Sequence, residues 1–320
     1  MKNKIQKFLV FGSLVSIGIY NINRLINIYS NAKNLLKTER GNFFEWKYGN
    51  IFYTKQGKGS PVLLIHNLCP ASSSYEWEKI SKYLSKSHTV YNIDLLGCGR
   101  SDRPNITYSN YLFVQLITDF TKKVIGEKTD LIAAGESSSF TLMACNMEPE
   151  QFHKVIVINP SNLVELCKTP NKIKNTLKFL IEFPIFGTMI YNLAFREKNI
   201  RNTFYRDYFY QNHMIPSRII DTYHEGAHRE ESHGKYLYSS IKSNYTNINI
   251  VHALKNIKNS IYLIGSKGNP HSEKIIDSYI SYNSSIKSSY ISESKYLPQL
   301  EVPEKLLAAL NSCLEDETIC

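Results

Sequence analysis

Residues 129–159 read TDLIAAGESSSFTLMACNMEPEQFHKVIVIN. Two short apolar runs, 129–134 and 155–159, bracket a stretch (138–147) whose apolar residues recur at helical spacing. Such runs predict strands buried on both faces of a sheet, with the helix as their crossover. Strand, helix and strand joined by short links argue that the two strands are parallel. Between strand and helix lie Gly135-Glu136-Ser137-Ser138-Ser139, a run of mostly small residues. A serine held on a sharp strand-to-helix turn exposes its Oγ and leaves the next backbone N–H aimed at a developing oxyanion. This reading makes Ser137 a nucleophile. The plainer alternative is a serine-rich helix cap.

Outward from this stretch the alternation continues. Upstream come a hairpin over 43–54 around Gly49, a strand at 61–66 (PVLLIH), a helix over 73–86 with Trp77, Ile80 and Leu84 on one face, a strand at 89–95, and an amphipathic helix over 110–125 ending at Gly126. Downstream, 163–255 lacks a clear strand and is rich in Phe, Tyr, Leu and Ile at helical spacing. Strand and helix resume at 260–265, 272–282, 287–291 and 303–314. The pattern predicts an α/β fold, a doubly wound, mostly parallel sheet of the eight-stranded type, with a helical cap (about 163–255) inserted before the last two strands. The domain spans 41–320, and its ligand site is expected outside the carboxyl ends of the strands.

The chain has 320 residues and a net charge of +10. Residues 1–40 hold seven Lys/Arg against Glu39 alone, so +6 belongs to the N-terminus and +4 to the rest. That distribution marks the flanks of a membrane segment and excludes a nucleic-acid footprint. Residues 8–20 (FLVFGSLVSIGIY) form an apolar run behind three lysines; even counted from Ile5 it reaches only 16 residues, short of the ~20 that span a bilayer. Ile22, Leu25, Ile26 and Tyr29 continue it at helical spacing. We expect residues 5–30 to meet the membrane and 1–40 to form an anchor helix and linker; an interfacial helix, or one packed on the domain, is the alternative. Ser30-Asn31-Ala32 lies too far past the apolar run for signal-peptide cleavage. Charges flank the run on both sides, so neither orientation is favoured. The six cysteines include no C-x-x-C pair and no zinc spacing.

From Gly49 to about Leu314 the chain resembles the α/β-hydrolase family. The resemblance is carried by GKGSPVLLIH, VYNIDLLGCGRSDRP (90–104), TDFTKKVIG, the turn at Ser137, VIVINP and LPQLEVPE. The D-x-x-G-x-G-x-S-x-x-P order from Asp94 to Pro104 is its most specific part. More narrowly, the chain resembles membrane-anchored α/β-hydrolase-like proteins of low-GC Gram-positive bacteria. The resemblance implies Ser137 as nucleophile and the N–H groups of Leu68 and Ser138 as oxyanion donors, with His66-Asn67-Leu68 where the family usually has His-Gly.

The match fails at the other triad positions. The family's acid seat reads Gly265-Ser266-Lys267-Gly268, and the seat of its histidine holds Tyr296, preceded by Lys295. A serine hydroxyl needs a neighbour to take its proton. A phenol of pKa ~10 is protonated at pH 7 and cannot accept one. His271 is the weak substitute base and Glu165 the weak substitute acid; His66 is read as a bridge between loop backbones, and Glu136 as a helix-start charge. His224-Glu225-Gly226-Ala227-His228 satisfies H-E-x-x-H literally but falls in the cap and is not read as a metal site. No metal or cofactor enters the reading. Two classes stay open: a serine hydrolase acting on a small apolar acyl or ester compound, or a non-catalytic descendant that serves as a ligand-binding or scaffold protein at the membrane.

Overall fold

Helix α1 (Lys2–Asn31) leads into a hairpin of β1 (Asn42–Trp46) and β2 (Gly49–Gln56). Then β3 (Pro61–Ile65), α2 (Glu78–Leu84), β4 (Thr89–Ile93), α3 (Asn110–Phe120), β5 (Thr129–Ala134), α4 (Ser138–Met147) and β6 (Phe152–Ile158) alternate. The computed structural model describes residues 2–38, 41–211 and 215–316; the last two linker residues, 39–40, and Cys320 lie outside these. The cap follows β6 as α5 (Leu163–Leu166), α6 (Lys172–Glu182), α7 (Phe186–Ala194), α8 (Glu197–Thr203), α9 (Ser217–Ser232), α10 (Gly234–Lys242) and α11 (Val251–Asn256). The body closes with β7 (Ser260–Ser266), α12 (Ser272–Ile280), β8 (Lys287–Ile291), α13 (Pro298–Glu301) and α14 (Pro303–Glu315).

The strands form one sheet in the order β1-β2-β4-β3-β5-β6-β7-β8. The β1–β2 and β2–β4 pairs are antiparallel, and every later pair is parallel. Chain order reverses around β3, which has β4 on one side and β5 on the other. The loops leaving β3 and β5 therefore part above that point and open a crevice.

Period-two alternation sorts the core onto two faces. Leu63, Leu131, Val155 and Leu263 face Phe113, Ile117, Leu142 and Ile276. Val62, Ile132, Ile156 and Ile264 face Trp77, Ile80, Leu84, Leu306 and Leu310. Each fully buried Leu or Ile stabilises the fold by about 1.5–3 kcal/mol. The cap has its own core around Tyr191, Phe204, Ile220 and Tyr223, joined to the body through Ala71 and Leu297.

The inner half of α1 is tied to the cap. Asn23 Nδ2 donates to the Ile185 carbonyl (2.9 Å), and Asn31 Nδ2 to that of His228 (3.1 Å). The N–H groups of Leu35 and Leu36 donate to the Glu225 carboxylate at 2.6 and 3.0 Å. Glu225, the acid of the H-E-x-x-H string, is thus a clasp for the end of α1. The rings of His224 and His228 lie 4.5 Å apart, and His228 Nδ1 meets the His224 carbonyl at 2.8 Å. The outer half of α1 leaves Phe11, Leu14 and Ile17 exposed. Among the described residues no single helix is long and apolar enough to cross a membrane.

Candidate functional site

The loop after β4 is anchored to the loop after β3. Asp94 is fully buried and accepts from the N–H of Ser74 (2.6 Å), the N–H of Arg100 (2.7 Å) and Arg100 Nε (2.7 Å). Burial alone would raise its carboxyl, but the Arg100 guanidinium overrides that and holds it at about 2. Ser101 Oγ, accepting from the Phe52 N–H (2.8 Å), donates to the Asp94 carbonyl (2.5 Å), stitching the loop to β2. His66 Nε2 accepts from the Leu95 N–H (3.0 Å), which assigns the ring hydrogen to Nδ1, facing the Asn67 carbonyl at 2.8 Å. His66 therefore bridges the loops after β3 and β4.

The turn after β5 differs from the expected geometry. Gly135 directly follows the strand and is its left-handed residue (φ +58°). Ser137 is two residues further on, with helical backbone (φ −74°, ψ −12°) and no exposed surface. Its Oγ donates down to the His66 carbonyl at 2.5 Å rather than up into the crevice. The expected oxyanion donor Ser138 uses its N–H on the Gly135 carbonyl, in the first helical turn. The reason is strand length. β5 ends at Ala134, so the sharp reversal falls on Gly135, and Ser137 is already inside the helix. Ala133-x-Gly135-x-Ser137 is as good a small-residue frame as Gly135-x-Ser137-x-Ser139, and that second frame is the signal sequence reading missed.

Above Gly135 the space is filled by the chain itself. A Cβ on Gly135 would overlap the Tyr296 hydroxyl and Asn67 Oδ1. Asn67 Oδ1 accepts from the Glu136 N–H (3.0 Å) and from Tyr296 Oη (3.3 Å). A carboxamide oxygen thus occupies the place where the N–H following the turn residue would receive an oxyanion. The Asn67 N–H in turn donates to buried Glu76, which also accepts from the Tyr223 hydroxyl (2.7 Å) and Gln299 Nε2 (3.1 Å). Tyr296 stacks on Tyr208 with ring centroids 5.4 Å apart, and Asn159 Nδ2 holds its carbonyl (3.1 Å). Burial, and then the neighbouring Glu136, push the Tyr296 phenol well above its ordinary range.

Gly268, where the resemblance places the family's acid, is closely packed as well. A Cβ there would overlap the Ser294 carbonyl and the Tyr210 ring. His271 is exposed at the cavity wall, and Glu165 is exposed and paired with Lys168 at 2.6 Å. Neither Glu165 nor Ser137 lines the cavity. Leu68 does, beside Cys69, whose thiol burial pushes up to about 11. Glu136 also faces the cavity. It is exposed there and accepts from Ser161 Oγ at 3.1 Å.

The cavity measures about 810 Å³ and lies between the body loops and the cap. Its walls are largely apolar and aromatic, including Phe195, Phe204, Tyr208, Tyr223 and Tyr238. That volume falls in the range of small-molecule sites.

Comparisons with known proteins agree with the fold. A family model described as the alpha/beta hydrolase fold matches residues 60–202. The 2-hydroxy-6-oxo-6-(2'-aminophenyl)hexa-2,4-dienoic acid hydrolase of Metapseudomonas resinovorans is 25% identical over 114 residues, 35% of this chain and 39% of that protein. The match therefore spans about two fifths of that relative's length. A membrane phospholipase A, described as a bacterial virulence factor, superposes with a TM-score of 0.70 at 14% identity, covering 98% of both chains. A carboxylesterase from Bacillus subtilis superposes with a TM-score of 0.67 at 14% identity, over 94% of this chain and 98% of that one. A serine hydrolase involved in carbazole degradation gives 0.68 at 15% identity, over 86% and 98%. This chain has the α/β-hydrolase fold.

Proposed function

We propose that this chain is a non-catalytic α/β-hydrolase-fold protein that holds a small, mostly apolar acyl or ester compound under its cap, at a membrane reached through α1. The observation that carries this reading is the filled turn after β5. Its left-handed residue is a glycine, and the Glu136 N–H already holds Asn67 Oδ1. A nucleophile at that apex needs a side chain, a base and an empty oxyanion seat. Gly135 has no side chain, Tyr296 stays protonated, and the seat is taken. The apolar cavity survives the loss, and Glu136 and Tyr296 offer it a carboxyl and a phenol as polar contacts.

The competing reading is a serine hydrolase using Ser137, favoured by the hydrolase names among the proteins this chain resembles. It requires the first turn of α4 to rebuild so that Ser137 leaves the His66 carbonyl. Fluorophosphonate labelling separates the two. We expect wild type to remain unlabelled while a fluorescent fatty acid binds it and is displaced from a Tyr238→Arg variant. Labelling of wild type that disappears in Ser137→Ala would establish the hydrolase instead.

A further inference from the structure

Among the described residues, 18 of the 27 large hydrophobic side chains that stand exposed lie on two stretches, α1 and the α6–α7 pair. Ile173, Leu177 and Leu180 recur at helical spacing on the outer face of α6, and Phe186, Ile190 and Leu193 repeat the spacing on α7. Phe183 stands exposed at the bend between them. The inner faces are ordinary cap core, with Ile181 and Tyr191 buried. Solvated cap helices need no such outer stripe.

The charge around the stripe selects its partner. Residues 168–201 hold seven Lys/Arg against two Glu. Lys172 opens α6, and Arg196 and Lys198 follow α7, all exposed. An apolar face rimmed by cations suits anionic headgroups over acyl chains. The two helices, of 11 and nine residues, bend by 99°. At ~1.5 Å per residue neither reaches across a hydrocarbon core of ~30 Å, so the pair lies in the interface. α1 meets the bend directly, through Asn23 on the Ile185 carbonyl. Ala194 and Phe195, next along the chain from the stripe, line the cavity.

We infer that the outer face of α6–α7 inserts into the headgroup–acyl boundary of an anionic bilayer, as a second contact beside α1, and brings the cavity mouth to the lipid. The inference does not depend on whether Ser137 reacts. The full chain carrying Phe183→Trp is incorporated into phosphatidylglycerol–phosphatidylcholine vesicles, with Tyr282→Trp, on a different part of the surface, as the control. The native Trp46 and Trp77 are buried and supply a constant background. With acyl chains brominated near the headgroup, emission from Trp at 183 falls at least twofold and that of the control does not. Combining it with Lys172→Glu and Lys198→Glu weakens the quenching. Equal quenching at both positions overturns the inference, even where α1 holds the chain in the vesicle. A dimer that Phe186→Asp dissolves, with position 183 shielded but unquenched, makes a second copy the occupant and also overturns it.

Discussion

The loop after β4 and the turn after β5 both bond to the loop after β3 and are built in opposite ways. In the first, every polar group of Asp94 works: its carboxylate holds two backbone N–H groups and a guanidinium, and its carbonyl takes Ser101. In the second, the apex carries no side chain and its neighbours bond to one another. The difference separates architecture from reaction chemistry. On the non-catalytic reading proposed above, residues that shape the loops of this fold stay fully engaged while the turn after β5 is filled by glycine, a phenol and a carboxamide.

The strongest test of that contrast is Asp94→Ala. It takes the carboxylate away from the partly buried Arg100 guanidinium and from two N–H groups, and we expect a loss of about 3–5 kcal/mol in urea unfolding. A loss below 1 kcal/mol would mean the loop does not carry the scaffold.

Acid titration follows. Burial lowers His228 to about 4. Between an unfolded value of 6.5 and that figure the unfolded chain binds a proton that the folded chain refuses, so stability falls as pH drops through this window. The fall from this group is at most about 3 kcal/mol. His228→Gln flattens the slope between pH 6.5 and 4. Asp94 acts lower: its depressed carboxyl stabilises the fold above about 4, and that contribution disappears toward pH 2. Stability profiles of the two variants that coincide would remove the separation.

Gly135→Ser comes next. A side chain there overlaps Tyr296 and Asn67 on a left-handed backbone, and costs about 1–3 kcal/mol. Adding Tyr296→Ala recovers part of that cost, a coupling that a double-mutant cycle reads directly. Purely additive costs would show that the apex is not filled by Tyr296.

The smallest effect belongs to Ser137→Ala. It removes one buried hydroxyl bond, worth about 1 kcal/mol, and leaves fatty-acid binding unchanged. Binding that collapses in this variant would return Ser137 to the cavity.

Much of the fold was legible because the signals are local. Short, β-branched apolar runs such as VLLI and VIVI suit strands covered on both faces, and the strandless stretch 163–255 marked the cap. Tyr296 and Gly268 were legible as departures because the stretches beside them keep their order. The register of the elbow was not, since two overlapping frames of small residues fit GESSS and only the end of β5 chooses between them. The stripe on α6–α7 went unread because helical spacing alone does not say which face meets the core.

By itself, then, the sequence determined the layered α/β architecture and the position of the cap, since each follows from residue type and near-neighbour spacing. Tertiary structure alone decided that Gly135 takes the apex, that Asn67 plugs the N–H of Glu136 from 69 residues away, and that Tyr296 closes over both. Those outcomes depend on which atoms meet across the β3–β5 crevice, and no local pattern encodes a contact between segments brought together only by folding.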